Sequence, residues 1–139
     1  MSTSNQNDLE QGLYRGRAVA RVTTSPDGYL VLIGKTARDN DVLTFKLSSP
    51  RDFWFHVSGE SGSHVVVANP ENESRLPRET ERFAAALAAG YSKAGTGGEV
   101  AVHWCRREEV KKPKGFPPGM VQLRKFKRVK VRPRRLEDT

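Results

Sequence analysis

Three histidines and one aspartate supply the side chains that acid–base chemistry would need in this sequence. Asp52 and His56 lie close together, and His64 follows shortly after them. Histidine titrates near neutral pH, so Asp52, His56 and His64 could exchange protons with a substrate. His103 adds a third imidazole, but neither a cysteine nor a carboxylate stands at the close spacing of a zinc site. We therefore predict no metal site and expect structural or ligand-facing histidines.

A lysine-rich, proline-rich loop at residues 110–121, VKKPKGFPPGMV, offers a second kind of chemistry. Proline fixes φ and restricts the preceding residue, so the loop loses little further entropy on binding. Gly115 and Gly119 permit tight turns and the close approach of a ligand backbone. The next segment, LRKFKRVKVRPRR, alternates basic and apolar residues, which predicts a strand with one basic face. Loop and strand together predict a phosphate-binding surface made of Lys111, Lys112, Lys114, Arg124, Lys125, Lys127 and Lys130.

The positive charge of the chain is concentrated near its carboxyl end. The 139 residues include 24 Lys and Arg against 16 Asp and Glu, a net charge of +8. Residues 1–105 hold 11 basic and 12 acidic side chains, whereas residues 106–135 hold 13 basic and 2 acidic ones. This pattern favours nucleic acid, an anionic membrane or an acidic partner. No apolar run is long enough to span a membrane, and a single Cys105 without a signal peptide predicts the reducing cytoplasm.

The aromatic stretch Phe53–Val57 alternates between two faces. Phe53, Phe55 and Val57 share one face, and Trp54 shares the other with His56. One face must belong to the core. Trp54 and His56 could stack on a base, as single-stranded RNA recognition commonly requires, or Trp54 could pack beneath the long helix. Both interpretations remain open at this point.

The elements that must position these residues predict one α+β domain. It has a mixed or antiparallel sheet of six to seven strands packed against one long and one short helix. Residues 1–13 are predicted to be a disordered leader, residues 14–133 the domain, and residues 134–139 a flexible tail. The strands are expected at 17–23, 29–33, 53–57, 64–68, 100–105, 120–123 and 126–131, with a short helix at 39–47 and a long one at 77–94.

Glycine motifs for binding a nucleotide phosphate are incomplete. Gly34-Lys35-Thr36 matches the end of a P-loop, but Tyr29 stands where that motif needs its first glycine. Gly95 to Gly98 follow the carboxyl end of the long helix, whose dipole repels phosphate. Nucleotide hydrolysis is therefore not expected.

Five ordered motifs carry a resemblance to a known family: GKxAxxNDxLT from Gly34, DxWFHV from Asp52, GSHVV from Gly62, AAxYSK from Ala88 and VKKPKGxxPGMV from Val110. They span roughly residues 15 to 133. The chain resembles the RNA-binding domain of the NFACT proteins, NFACT-R. The resemblance implies a part in ribosome-associated quality control, where full-length relatives bind the large ribosomal subunit with a peptidyl-tRNA and recruit tRNA. The N-terminal NFACT domain and the helical arms are missing, so we expect a stand-alone form that does not extend stalled chains by itself.

The expected partners are therefore tRNA, ribosomal RNA of the large subunit, or both, without a membrane, a metal or a small-molecule cofactor. Two alternatives remain: a small RNA-processing enzyme that uses Asp52, His56 and His64, and a protein-binding adaptor on the ribosome. An enzyme is not our expectation. Besides the loop and strand, the candidate RNA contacts are Lys35, Arg38, Asn40, Asp41, Trp54, His56, His64, Ser92 and Lys93.

Overall fold

A computed structural model of the chain describes residues 7–95 and 97–138. Its main element is a six-stranded sheet in which every neighbouring pair is antiparallel. Its strands are Ala20–Thr24 (β4), Leu30–Gly34 (β5), Phe53–Val57 (β6), Val65–Val67 (β7), Val100–Arg106 (β8) and Lys127–Val131 (β11). The order across this sheet is β11-β8-β6-β7-β5-β4.

Two smaller sheets flank the main one. Three short strands near the amino end form the first, and a two-stranded hairpin that carries the basic loop forms the second. Single 3₁₀ turns cover Leu9–Gln11, Arg107–Glu109 and Leu136–Asp138. The short strands are Asn7–Asp8 (β1), Leu13–Tyr14 (β2), Arg17–Ala18 (β3), Val110–Lys111 (β9) and Gln122–Leu123 (β10).

Helix α2 (Arg78–Gly90) covers one face of the main sheet. Pro77 precedes it, where its fixed φ suits a helix start, and Glu79 and Glu81 complement the positive end of the helix dipole. Its alanine-rich face packs on the inward residues of the central strands, which alternate as predicted. This core includes Val31, Phe53, Phe55, Val65, Val67, Ala84, Leu87, Ala88, Val102 and Trp104.

A second helical segment covers part of the opposite face. Helix α1 (Ala37–Val42) begins at Thr36, whose Oγ1 accepts a hydrogen bond of 3.1 Å from the Asp39 amide. A π-helical turn, Leu43–Leu47, continues it directly. Beneath this segment lies a second core that includes Leu32, Leu43, Trp54, Val66, Cys105 and Val110.

The single α+β domain and its antiparallel sheet agree with the sequence prediction. The prediction of one long and one short helix is wrong. The second segment runs from Ala37 to Leu47 once its π turn is included. Helix α2 ends at Gly90 rather than at residue 94, because Ser92 turns the chain and forms a bridge with Gly62. The two helical segments are therefore similar in length.

The described residues near both ends of the chain form a strand pair or contact α2. Strand β1 pairs with β2 inside the stretch predicted as a leader, and residues 1–6 of that stretch lie outside the described residues. At the other end, the Arg134 amide donates a hydrogen bond of 3.0 Å to the Ala86 carbonyl, and Leu136 packs against the core under α2. Described residues outside the predicted limits of 14 and 133 thus contact the rest of the chain, and the boundaries themselves stay a prediction.

Candidate nucleic-acid interface

Strand β11 forms one edge of the main sheet and carries much of the basic surface. Arg128 pairs with His103 of β8, and Lys130 pairs with Ala101, so both cations extend from the face opposite α2. Lys127 pairs with Trp104 and lies on the α2 side. In the described part of the chain, no carboxylate lies within ion-pair distance of these exposed cations: Lys111, Lys114, Lys125, Lys127, Arg128 and Lys130.

Two cations of the predicted surface are paired with carboxylates. Arg124 Nε lies 3.0 Å from Glu109 Oε1, and this hydrogen bond lowers the pKa of Glu109, with a further contribution from nearby lysines. Lys112 Nζ lies 3.0 Å from Asp41 Oδ2 and also donates to the carbonyl oxygens of Pro117 at 2.6 Å and Met120 at 2.8 Å. Lys112 therefore holds the loop in shape, whereas Lys114 is exposed at its tip.

The basic loop folds back over helix α1. Gly119 takes a φ of 83°, and its amide donates a hydrogen bond of 3.2 Å to Asp41 Oδ1. Its carbonyl oxygen lies 3.0 Å from His64 Nε2. A Cβ atom at Gly119 would lie 3.2 Å from the Cβ of Ala37, so the positive φ and the close packing both favour glycine here. Asp41 and Gly119 thus fix the loop rather than extend into solvent.

His64 is the centre of a buried hydrogen-bond chain. Because the Gly119 carbonyl can only accept, His64 Nε2 carries the proton, and Nδ1 accepts from the Thr44 hydroxyl at 2.8 Å. Trp54 Nε1 in turn donates to Thr44 Oγ1 at 3.1 Å. Burial, followed by the charge of His56, lowers the pKa of His64 to about 3, so the ring stays neutral.

Trp54 and Asn40, two candidate contacts, are buried for structural reasons. Trp54 packs in the second core beneath the π turn and not beneath the long helix. The Asn40 side chain accepts a hydrogen bond of 3.0 Å from the His64 amide and donates one of 3.3 Å to the Gly62 carbonyl. Both residues also line a cleft beneath the loop.

A cleft of about 650 Å³ opens between the folded-back loop and the far ends of β6 and β8. His56 and His103 are paired across these strands and form its floor, and Met120 lies at its wall. Burial lowers the pKa of both imidazoles, and Arg128 lowers that of His103 further. His103 Nε2 is buried without a hydrogen-bond partner, and the half-exposed Phe126 ring lies with its centroid 4.2 Å from the His103 ring.

Three of these residues, His103, Phe126 and Arg128, were absent from the predicted site. The period-two pattern from Leu123 onward places Phe126, Arg128 and Lys130 on one face, so the sequence contained a signal for Arg128. For His103 the signal was weaker, because the register between β8 and β6 decides that it faces His56.

A shallower pocket of about 400 Å³ lies beside the cleft, at the end of α2. Lys35 and Lys93 are exposed at its rim. The Ser92 hydroxyl donates a hydrogen bond of 2.6 Å to the Ala89 carbonyl at the end of α2. Arg38 is exposed on α1, away from this rim.

Asp52 lies apart from the two histidines of the enzymatic alternative, whose ring centroids are 5.4 Å from each other. Asp52 precedes β6 and is buried, where its carboxylate accepts hydrogen bonds from the amides of Ser49 at 2.8 Å and Asn69 at 2.9 Å. Burial raises its pKa despite these bonds. His56 lies four residues along the same strand, roughly 13 Å away at the rise of an extended chain. His64 is sealed beneath the loop.

Within residues 7–95 and 97–138, no three or more His, Cys, Asp or Glu side chains are grouped so that they could bind a metal ion. None of the helices found there has the length and apolarity that crossing a membrane would require.

Comparisons with known proteins give one consistent match. The sequence profile of the NFACT protein RNA binding domain matches residues 19–125. The Rqc2 homolog RqcH of Bacillus subtilis is 37% identical over 97 residues, which are 70% of this chain and 16% of that protein. The ribosome quality control complex subunit NEMF homolog of Drosophila melanogaster is 29% identical over 89 residues, covering 63% of this chain and 9% of that protein.

Among solved structures, the C-terminal part of a fibronectin/fibrinogen-binding protein from Streptococcus suis superposes with a TM-score of 0.78. It is 34% identical, and the match covers 85% of this chain and 47% of that one. The chain therefore spans less than a fifth of these two curated relatives and about half of the solved structure.

Proposed function

Because the chain belongs to the NFACT protein RNA-binding domain family, we propose that it binds tRNA or the ribosomal RNA of the large subunit. We further propose that it does so in the cytoplasm, in ribosome-associated quality control of stalled translation. The Drosophila relative is named as a ribosome quality control complex subunit, which supports this setting. No catalytic step is part of the proposal.

The observation that carries the proposal is the unpaired basic edge. Arg128 and Lys130 extend from one face of β11, and Lys114 and Lys125 are exposed on the adjoining loops. Clustered cations without carboxylate partners attract a polyanionic backbone, because binding releases the counterions condensed on it. The cleft beside Arg128 adds ring surfaces, which RNA-binding proteins use to stack bases.

A salt titration on labelled tRNA tests the proposal. If the surface neutralises about four to six phosphates, the logarithm of the binding constant falls against the logarithm of salt with a slope of roughly −3 to −5. A double variant, Arg128→Ala with Lys130→Ala, should weaken binding to every RNA and make the slope shallower by about two.

The matched control removes the same charge elsewhere. Lys46 lies on the π turn and Arg78 at the start of α2, and both are exposed. Changing both to alanine should leave the affinity within about twofold, because neither belongs to the basic edge. Equal losses from the two pairs would show that only net charge matters, and a slope of zero would overturn the proposal.

Sedimentation with purified ribosomal subunits separates the proposed partners. Association with the large subunit that weakens with salt supports an RNA contact there. Association that survives high salt, with no affinity for naked RNA, would instead favour the protein-binding adaptor.

A further inference from the structure

The cleft and the shallower pocket beside it are neighbours that share a wall. Ser61, Gly62 and Lys93 line both of them. One cavity therefore opens to each side of the turn that precedes β7. Because their chemistry differs, a single ligand that occupies both must have one flat, weakly polar part and one anionic part.

The cleft suits the flat part. Its floor consists of the neutral rings of His56 and His103, and Pro117, Pro118 and Met120 form an apolar wall. Its volume of about 650 Å³ falls within the range of ligand sites, roughly 300–1,000 Å³. The unpartnered Nε2 of His103 leaves one buried hydrogen-bonding atom unused, which a polar edge in the cleft could satisfy. Glu60 at the rim disfavours an anion on this side.

The shallower pocket suits the anionic part. Arg21, Lys35 and Lys93 line it, and each has an exposed side chain. The Arg21 guanidinium lies 5.2 Å from the centroid of the Tyr91 ring, which orients the group without neutralising its charge. Arg135 also lines the pocket, but it is paired with Glu137 at 2.9 Å.

We propose that these two cavities together bind one unpaired nucleotide of the RNA, with its base against His56 and His103 and its phosphate among Arg21, Lys35 and Lys93. This inference rests on the proposed function, and it names the part of the RNA that the two cavities bind. A base inside a duplex is excluded, because its faces are stacked on neighbouring bases and it cannot enter the cleft without leaving the helix. The domain therefore prefers a loop, bulge or single-stranded end to a continuous duplex.

The test uses a hairpin RNA with 2-aminopurine in its loop and a blunt duplex of equal length and charge. The protein should quench the fluorescence of the loop base and bind the hairpin about tenfold more tightly than the duplex. His56→Ala should remove this preference, His56→Phe should keep it because a ring remains, and Lys46→Ala should change nothing.

A second pair of variants probes the phosphate side. Lys35→Ala with Lys93→Ala alters exposed residues only, so the fold is retained even if His56→Ala proves unstable. The pair should reduce hairpin affinity more than duplex affinity. Equal affinity for both RNAs, without quenching and with an unchanged salt slope, would overturn the nucleotide site and leave the basic edge intact. Failure to bind either RNA would instead overturn the proposed function.

Discussion

His64 Nε2 donates a hydrogen bond of 3.0 Å to the carbonyl oxygen of Gly119, and so the middle of the domain holds the basic loop in place. In the neutral ring Nδ1 also accepts a hydrogen bond from the Thr44 hydroxyl, whereas in the protonated ring both nitrogens would be donors. Protonation of His64 would break this chain and place a charge in a buried site. The neutral ring is therefore the form that completes the hydrogen-bond chain from Trp54 through Thr44 to Gly119.

The first prediction concerns pH. Burial lowers the pKa of His64 from 6.5 to about 3. Between these values the unfolded chain binds a proton that the folded chain does not, so the free energy of unfolding falls as the pH decreases. The loss between pH 7 and pH 5 should be about 2 kcal/mol for this histidine. His56, whose pKa is also lowered, acts in the same direction.

Urea unfolding at pH 5, 6 and 7 measures this effect. His64→Gln removes the titrating ring, so its free energy of unfolding should vary less with pH than that of the parent. Measurements should stay at or above pH 5, because the raised pKa of Asp52 favours the folded state as the pH falls toward 3.8. An identical pH dependence in both proteins would contradict the assignment of a neutral His64.

The second prediction separates two lysines of the same loop. Lys112 donates to two carbonyl oxygens and pairs with Asp41, so Lys112→Met should lower the free energy of unfolding by about 1–2 kcal/mol. Lys114 is exposed without such partners, so Lys114→Met should leave stability unchanged and weaken RNA binding. Thermal unfolding and RNA titration of the two variants, which carry the same net charge, give the comparison. If the two variants had the same stability and the same RNA affinity, the structural role of Lys112 and the binding role of Lys114 would both be contradicted.

The sequence predicted those parts of the fold that depend on local pattern. Phe53–Val57 was predicted with the observed bounds, because its alternation and the turn after it are properties of neighbouring residues. The hairpin of β4 and β5 was predicted from the Ser25-Pro26-Asp27-Gly28 turn between two apolar runs. The first run, predicted as one strand at 17–23, is divided in the structure between β3 and β4, which belong to different sheets.

The site was harder to predict because it is built from long-range contacts. Lys112 and Lys114 look alike in sequence, and only the folding of the loop onto α1 brings Asp41 within reach of the first. Asn40 was a candidate contact, but its two hydrogen bonds reach the His64 amide and the Gly62 carbonyl. Contacts between residues so far apart in the chain leave no periodic signal.

The third prediction tests the docking of the C-terminal segment. Gly90 lies at the end of α2, where a Cβ atom would overlap the backbone of Arg134. Gly90→Ala should therefore lower the free energy of unfolding by about 1–3 kcal/mol. Gly98→Ala is the matched control, because a Cβ atom there would meet nothing within 4 Å. Equal melting temperatures of the two variants would show that residues 131–136 do not depend on this contact.

The fourth prediction concerns the enzymatic alternative. The Asp52 carboxylate accepts hydrogen bonds from the amides of Ser49 and Asn69, one on each oxygen. Asp52→Asn replaces one oxygen by a donor, so one amide loses its acceptor and the free energy of unfolding should fall by about 1–3 kcal/mol. The RNA affinity of the folded variant should equal that of the parent, because Asp52 lies far along β6 from His56 and the basic edge.

Incubation with tRNA, with and without Mg²⁺, completes this test. The tRNA should stay intact with the parent and with Asp52→Asn, since Asp52 and His64 are both buried and lie at opposite ends of the paired strands β6 and β7. Cleavage by the parent that disappears in His64→Ala, measured on correctly folded protein, would revive the enzyme. If Asp52→Asn lowers the free energy of unfolding and the RNA stays intact, the role of Asp52 is structural. Its hydrogen bond to the Asn69 amide joins the start of β6 to the chain after β7. This contact helps to keep β6, and the cleft residues farther along it, in register with β7.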